Sequence, residues 1–205
     1  MIAALLTYHF KLARWWLFIQ FFFPPSLFLM HGLHLPPVIF LCLFVVFLGL
    51  FWTTFRYQVP FYPSGLPAWE VVSTRLPKHG PYRFIDIGSG FGGLVLYLAR
   101  RYPESFFSGI ELAPLPWFVS WLRAAYRRDQ TRFIRGDYFD LDFSQYEVVF
   151  AYLSPAAMPA LWQKAKAEMT TGSLLISYEF SIVGAAPNFV LESKRGGTKI
   201  YGWKF

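Results

Sequence analysis

The residues best suited to chemistry lie in Phe84-Ile85-Asp86-Ile87-Gly88-Ser89-Gly90-Phe91-Gly92-Gly93. A short apolar run stops at an acid, a glycine-rich turn follows, and Leu94 to Arg101 carry helical apolar spacing. That is how an α/β sheet holds a nucleotide-type ligand. Gly88 and Gly90 put no side chain in the ligand's way, with Ser89 between them, and amides at the start of the next helix donate to the ligand's polar end. Gly88, Gly90 and Gly93 also satisfy G-x-G-x-x-G, a motif found in dinucleotide enzymes and by chance. The residue two before Gly88 separates these cases.

Asp86 closes the strand where a dinucleotide site normally has an apolar residue. A carboxylate there can orient the ammonium of a bound amino acid, a group that S-adenosylmethionine has and NAD lacks. Two later acids extend the pattern. Phe106 to Glu111 reads as the next strand, and its terminal Glu111 is placed for both ribose hydroxyls. Arg132 to Asp137 reads as a third strand whose acid suits the adenine amino group. Leu112 and Tyr138, which follow the two later acids, complete the expected cofactor-binding set. Taken singly, Asp86 could cap a helix and each acid could be a solvated surface group. Three strand-terminal acids in this order are more specific than one glycine loop.

The elements that must position these residues alternate in period. Strands are expected at 84–87, 106–111, 132–136, 146–152 and 173–181, with helices at 92–102, 115–128 and 156–170. The last residues read as a β-hairpin, 189–192 and 198–203, turning at Arg195-Gly196-Gly197. This implies an α/β doubly wound sheet over 84–205 with a reversed edge strand. Tyr152 and Ser154, at the carboxyl end of the fourth strand, face the reacting group in this topology and are the candidate catalytic residues, with Tyr152 read equally as a pocket wall. Glu179, near the end of the next strand, offers either a hold for a cationic acceptor or a strand-end surface acid.

Composition points elsewhere for the first 58 residues. The chain is 55% hydrophobic and 21% aromatic with a net charge of +7, and no acid precedes Glu70. Val38 to Phe55 runs without a charge for about the length needed to cross a bilayer, so a transmembrane helix is expected at about 38–55. Trp15 to Leu35 is also uncharged but interrupted by Pro24-Pro25, and is expected to cross as the other arm of a helical hairpin or else to lie in the interface as an amphipathic helix. Lys11 and Arg14 on one side and Arg56, Arg75 and Lys78 on the other place both ends in the cytoplasm by the positive-inside rule. The expected location is an integral membrane protein, in a bacterial inner membrane, with the domain on the cytoplasmic side. No basic residue precedes the opening apolar run, so a cleaved signal peptide is not expected. Residues 59–83 read as a proline-punctuated hinge and a short lead-in helix, Ala68 to Leu76, acting as a lid or a linker.

Cys42 is the only cysteine, which excludes a disulfide framework or thiolate metal site, and His31 and His34 lack acids at ligand spacing, so no metal is expected. Arg123, Arg127, Arg128, Arg132 and Arg135 form the densest basic cluster, read as contact with anionic lipid head groups or as a solvated helix end. The chain has no continuous basic stripe, so nucleic acid is not an expected partner.

Asp86-Ile87-Gly88-Ser89-Gly90, Gly109-Ile110-Glu111-Leu112-Ala113-Pro114, Trp117-Phe118-Val119, Arg135-Gly136-Asp137 and Phe143-Ser144-Gln145-Tyr146 together resemble class I methyltransferases. More narrowly, they are similar to the membrane-anchored protein-lysine methyltransferases of the ATP synthase c-subunit and adenine nucleotide translocase type and their prokaryotic relatives. The resemblance covers about Pro60 to Phe205. It implies a Rossmann-like sheet, S-adenosylmethionine as cofactor, and transfer to a lysine of a membrane protein. Two features depart from it. The family's loop usually continues Asp-Gly-Arg where this chain has Phe91-Gly92-Gly93, and Ala151-Tyr152-Leu153-Ser154-Pro155 lacks the Asn/Asp-Pro-Pro-Tyr box of amide and adenine methyltransferases. The bilayer explains a lipid or quinone acceptor equally well. The altered loop leaves room for a non-catalytic domain that binds the cofactor or a partner.

Overall fold

The computed structural model describes residues 15–33, 35–50, 64–78, 80–127, 131–192 and 197–205. The chain divides into two compact units, 1–45 and 46–205. The first holds α1, Trp15–Gly32, and most of α2, Pro37–Leu50. Both helices are apolar all round, with Phe18, Phe21, Phe28, Leu41 and Phe44 exposed.

Of the expected crossing at 38–55, the described part is helical, in α2, Pro37–Leu50, and 51–55 lie outside the described residues. At about 1.5 Å per residue those 14 residues span about 21 Å, short of the ~30 Å hydrocarbon core. α1 has 18 residues, but Pro24 and Pro25 lie inside it, and Gln20 and His31 dilute its apolar run. Among the described residues no helix is long and apolar enough to cross a membrane. The transmembrane anchor expected from composition is therefore not supported by these helices.

The second unit carries a seven-stranded sheet in the order β3-β2-β1-β4-β5-β7-β6. The strands are β1 Arg83–Ile87, β2 Phe106–Glu111, β3 Arg132–Arg135, β4 Val148–Ala151, β5 Leu174–Tyr178, β6 Phe189–Glu192 and β7 Lys199–Lys204. Its helices are α3 Leu66–Ser73, α4 Gly93–Arg101, α5 Pro114–Arg127 and α6 Met158–Glu168. β1 to β5 run parallel. Successive side chains of a strand point to opposite faces, and the core divides accordingly. Phe84, Phe107, Val148, Phe150 and Ile176 share one cluster with α3 and α4, while Ile85, Ile110, Val149, Ala151 and Leu175 share the other with α6. Strands buried on both faces read as continuous apolar runs, which is why β1 and β4 are legible without alternation. From β3 the chain returns across β1 to lay down β4, so the strand order reverses between β1 and β4. Crevices of this kind, outside the carboxyl ends of the strands, are where open α/β sheets bind ligands.

Two expectations need correction. The reversed strand is not at the edge: β7 pairs antiparallel with β5, and β6 lies outside it. The segment after β5 carries β6 past the sheet, and the hairpin folds its second strand back against β5. The turn residues Arg195 and Gly196 lie outside the described residues. Nor is the lead-in helix a linker: in α3, Val72 and Ala68 are fully buried, and the Tyr102 hydroxyl donates to the Ser73 carbonyl at 2.9 Å. α3 belongs to the core.

Candidate functional site

β1 ends at Ile87, and the next five residues make a loop that only glycine can trace at three points. Gly88, Gly90 and Gly92 have φ of 85°, 53° and 72°, in the left-handed region where a side chain is strained. The loop is pinned rather than loose. The amides of Gly88 and Ser89 donate to the Ile110 carbonyl at 2.9 and 3.0 Å, and Gly92 donates to Ser89 at 2.9 Å.

Glu111, the last residue of β2, closes the loop from the other side. Its Oε2 accepts from the Gly90 amide at 2.8 Å and its Oε1 from the Ala113 amide at 2.8 Å. Burial raises its pKa, and the amides of Ala113, Gly90 and Leu112 oppose the rise. Asp86 lies on the same face of the sheet, one strand away, opposite Gly109. It is 5% exposed, and burial, with the Glu111 charge second, pushes its pKa up to about 8. Two carboxyls without a cation between them share this pocket, so at neutral pH Asp86 holds its proton. Ser89, also buried, has a hydroxyl with no hydrogen-bond partner. A buried acid needing a cation, a buried hydroxyl needing a partner and a side-chain-free turn fit a ligand with an ammonium and several polar atoms.

The departure from Asp-Gly-Arg has a structural explanation. A Cβ on Gly93 would lie 2.6 Å from the Trp69 ring, so the α3 tryptophan occupies the space a longer residue would need. The Trp69 indole N–H donates to Ser64 Oγ at 2.9 Å. The Phe91 carbonyl accepts from the Arg123 guanidinium, which commits one member of the basic cluster to the loop instead of to solvent. Sequence reasoning missed Trp69, Gly109 and Phe133. A Cβ on Gly109 would lie 2.7 Å from the Ser89 side chain and 2.9 Å from the Phe133 ring, so this glycine lets β2 approach the loop. The signal was present: a glycine in mid-strand marks a close approach of backbone.

The other expected residues are brought to the same sheet edge with different roles. Asp137 accepts from the Phe139 amide at 3.1 Å and caps a short 3₁₀ turn, Tyr138–Asp140. Tyr138 is half-buried, stacked on Phe139 at 4.4 Å, and its pKa is pushed up to about 12 by burial and by Asp137. Leu112 is half-buried beside Glu111. Past the end of β4, Leu153 approaches the loop, since a Cβ on Gly88 would meet its Cδ2 at 3.1 Å. Ser154 is buried with its hydroxyl unpartnered. Tyr152 is half-buried, and its hydroxyl donates to Glu179 Oε2 at 2.5 Å. Among the described residues no group of three His, Cys, Asp or Glu could hold a metal ion.

Comparison with known proteins agrees with this geometry. Residues 86–189 match the family described as the ANTKMT methyltransferase domain. Over 110 residues the chain is 32% identical to the ATP synthase c-subunit lysine N-methyltransferase of Xenopus laevis, covering 52% of this chain and 47% of that protein. It thus spans about half the length of that curated relative. Among solved structures, an RNA methyltransferase from Salinibacter ruber in complex with S-adenosyl-L-homocysteine superposes with a TM-score of 0.64 at 24% identity, covering 70% of this chain and 93% of that one. A methyltransferase from Thiobacillus denitrificans, also bound to S-adenosyl-L-homocysteine, superposes with a TM-score of 0.51 at 18% identity, covering 65% and 54%. At these identities the two structures establish a shared Rossmann-like methyltransferase fold.

Proposed function

Because the chain belongs to the ANTKMT methyltransferase domain family, we propose that it is an S-adenosylmethionine-dependent methyltransferase that modifies a lysine of a membrane protein. The observation that carries the cofactor is the pair of buried carboxyls, Asp86 and Glu111, closing a loop of left-handed glycines. Asp86 takes the cofactor's ammonium, Glu111 and its neighbour Leu112 take the ribose, and Asp137 with Tyr138 takes the adenine. Gly88, Ser89 and Gly90 line the polar end. When bound, the cofactor supplies a methyl group on an activated sulfonium, so the chain's task is to orient the acceptor amine and exclude water. Tyr152 and Ser154, beside the loop at the end of β4, form the wall on the acceptor side. Lysine as acceptor is supported by the relative from Xenopus laevis, named for that activity.

The N-terminal helices α1 and α2, which carry no Asp, Glu, Lys or Arg, support association with a bilayer. They expose phenylalanine and leucine on every side, a composition suited to lipid or to insertion at its interface. The methyltransferase domain would then work at the cytoplasmic face of a bacterial inner membrane.

Calorimetric titration of the detergent-solubilised protein with S-adenosylmethionine and with NAD tests the cofactor. Binding of the first alone, lost in Asp86→Ala and weakened in Glu111→Ala, is expected. Binding of neither overturns the reading. Flotation of the full chain with phosphatidylglycerol-containing vesicles tests the membrane, and protein left at the bottom of the gradient refutes it. Incubation with labelled cofactor and membrane fractions then shows whether label enters protein, as expected, or lipid.

A further inference from the structure

Where β5 ends, the backbone takes a conformation that its sequence does not favour. Glu179 has φ of 72° and is the one non-glycine residue in the left-handed region among those described. The Phe180 amide donates back to the Tyr178 carbonyl at 2.9 Å, closing a three-residue turn around Glu179. With positive φ at its centre, this is the rarer and strained form of γ-turn. The surroundings hold it in place. The Glu179 amide donates to the Lys199 carbonyl of β7 at 2.7 Å, and the buried Ser177 hydroxyl donates to the Phe180 carbonyl at 2.7 Å. A strained residue persists where its neighbours over-determine it, and such residues concentrate at binding sites.

The turn aims an exposed carboxylate at one place. Ala151 and Ser177 are paired across β4 and β5, so Tyr152 and Tyr178 emerge side by side. Their rings meet edge to face at 4.7 Å, and Phe180 stacks on Tyr152 at 6.2 Å. The Tyr152 hydroxyl fixes the Glu179 carboxylate at 2.5 Å. All three aromatic residues are half-buried, and Glu179 is exposed. Tyr152 precedes Leu153, which abuts the glycine loop, so the group lies at the reacting edge of the sheet. Aromatic faces and a fixed carboxylate together are the chemistry that recognises an organic ammonium.

We propose that Glu179, with Tyr152, Tyr178 and Phe180, is the dock for the cationic amine of the acceptor, in both its unmethylated and methylated forms. This rests on the methyltransferase reading above and adds the residue that selects an amine over a neutral acceptor. A lipid hydroxyl or quinone would gain nothing from this carboxylate.

The test uses the full chain saturated with S-adenosyl-L-homocysteine, whose own affinity is measured in every sample. The probes are N-acetyl-lysine methylamide and its neutral counterpart N-acetyl-norleucine methylamide, followed by saturation-transfer NMR. The wild type is expected to bind the lysine probe and not the norleucine one. Glu179→Gln should weaken lysine binding about tenfold or more, Glu179→Asp should restore part of it, and Tyr152→Phe should cost about two- to threefold. Glu179→Gly separates function from folding, because glycine accepts the φ without strain. Its melting temperature should hold or rise while lysine binding is lost. Equal binding of the two probes, or unchanged lysine binding in Glu179→Gly, overturns the dock and leaves the methyltransferase reading standing. Failure of the wild type to bind S-adenosyl-L-homocysteine overturns the reading on which it rests.

Discussion

The two halves of the sheet's carboxyl edge are built in opposite ways. At β1 and β2 the groups proposed to hold the cofactor are buried: Asp86 and Glu111 are 5% and 8% exposed, and the loop between them is tied down by its own amides. At β4 and β5 the groups proposed to meet the acceptor are open, with Glu179 in solvent and three rings half-buried around it. A ligand that is enclosed whole can be met by buried charge, because binding completes the pairing that burial demands. A side chain presented by a large partner must enter from solvent, so its receptor has to stay exposed and be fixed by backbone geometry. The first half stores unfavourable electrostatics, the second unfavourable torsion.

The strongest way to break this contrast is at Asp86. Asp86→Asn keeps the shape and removes the charge proposed to face the cofactor's ammonium, and calorimetry should show S-adenosylmethionine affinity falling about 100-fold. The unliganded fold should respond in the other direction. A carboxyl whose folded pKa is raised to about 8 from 3.8 carries no penalty below pH 4, where both states are protonated. It destabilises progressively as pH climbs to 8, where the unfolded chain ionises and the folded one does not. Asp86→Asn should therefore be more stable than wild type by up to about 5 kcal/mol at pH 8 and indistinguishable near pH 4, as urea unfolding at the two values would show. Cofactor affinity of the wild type should also rise with pH up to about 8, because the free site must first ionise. A pH-independent affinity would mean that Asp86 is already charged and that its half of the edge stores nothing.

Gly92→Ala tests whether the loop's shape is as fixed as its charges. The new Cβ would sit 2.5 Å from the Phe133 ring at a residue with φ of 72°, so crowding and torsion add. A loss of about 2 to 4 kcal/mol is expected, or roughly 5 to 15 °C in melting temperature. Glu111→Gln should cost less, about 1 to 2 kcal/mol, because the amide side chain keeps one acceptor for two backbone donors. It pairs informatively with Asp86→Asn. Two neighbouring acids, neutralised alike, should move stability in opposite directions because one is hydrogen-bonded and the other is not.

The buried half is readable in the chain and the open half largely is not. Asp86, Glu111 and the glycines announce themselves because strand ends, glycine turns and apolar runs are local patterns. Gly109 and Gly93 carry a signal whose meaning depends on Phe133 and Trp69, residues remote in sequence that only packing brings near. The insertion of β7 inside β6 depends on how a hairpin docks, which neither strand encodes. At the N-terminus an uncharged run of spanning length reads as a crossing helix, and the described residues carry α2 over Pro37–Leu50. Glu179 reads as either a hold for a cationic acceptor or a strand-end surface acid, but nothing in Ser177-Tyr178-Glu179-Phe180 favours a γ-turn. The turn is imposed by Lys199 on β7 and by Ser177 from below.

That imposed turn gives the smallest effect and the sharpest check on the comparison. If the acceptor half stores torsion for the sake of a carboxylate, removing both at once should relax the fold. Glu179→Gly relieves the left-handed φ but adds chain entropy to the unfolded state and loses the Tyr152 hydrogen bond, so the net gain should be below about 1 kcal/mol, roughly 2 °C. Glu179→Ala loses the same hydrogen bond without relieving the torsion and should fall below wild type. The stability order Gly, then Glu, then Ala places the cost in the backbone. In the order Glu, then Gly, then Ala, the bond to Tyr152 would outweigh the torsion, and the turn would then be a structural corner held by its side chain.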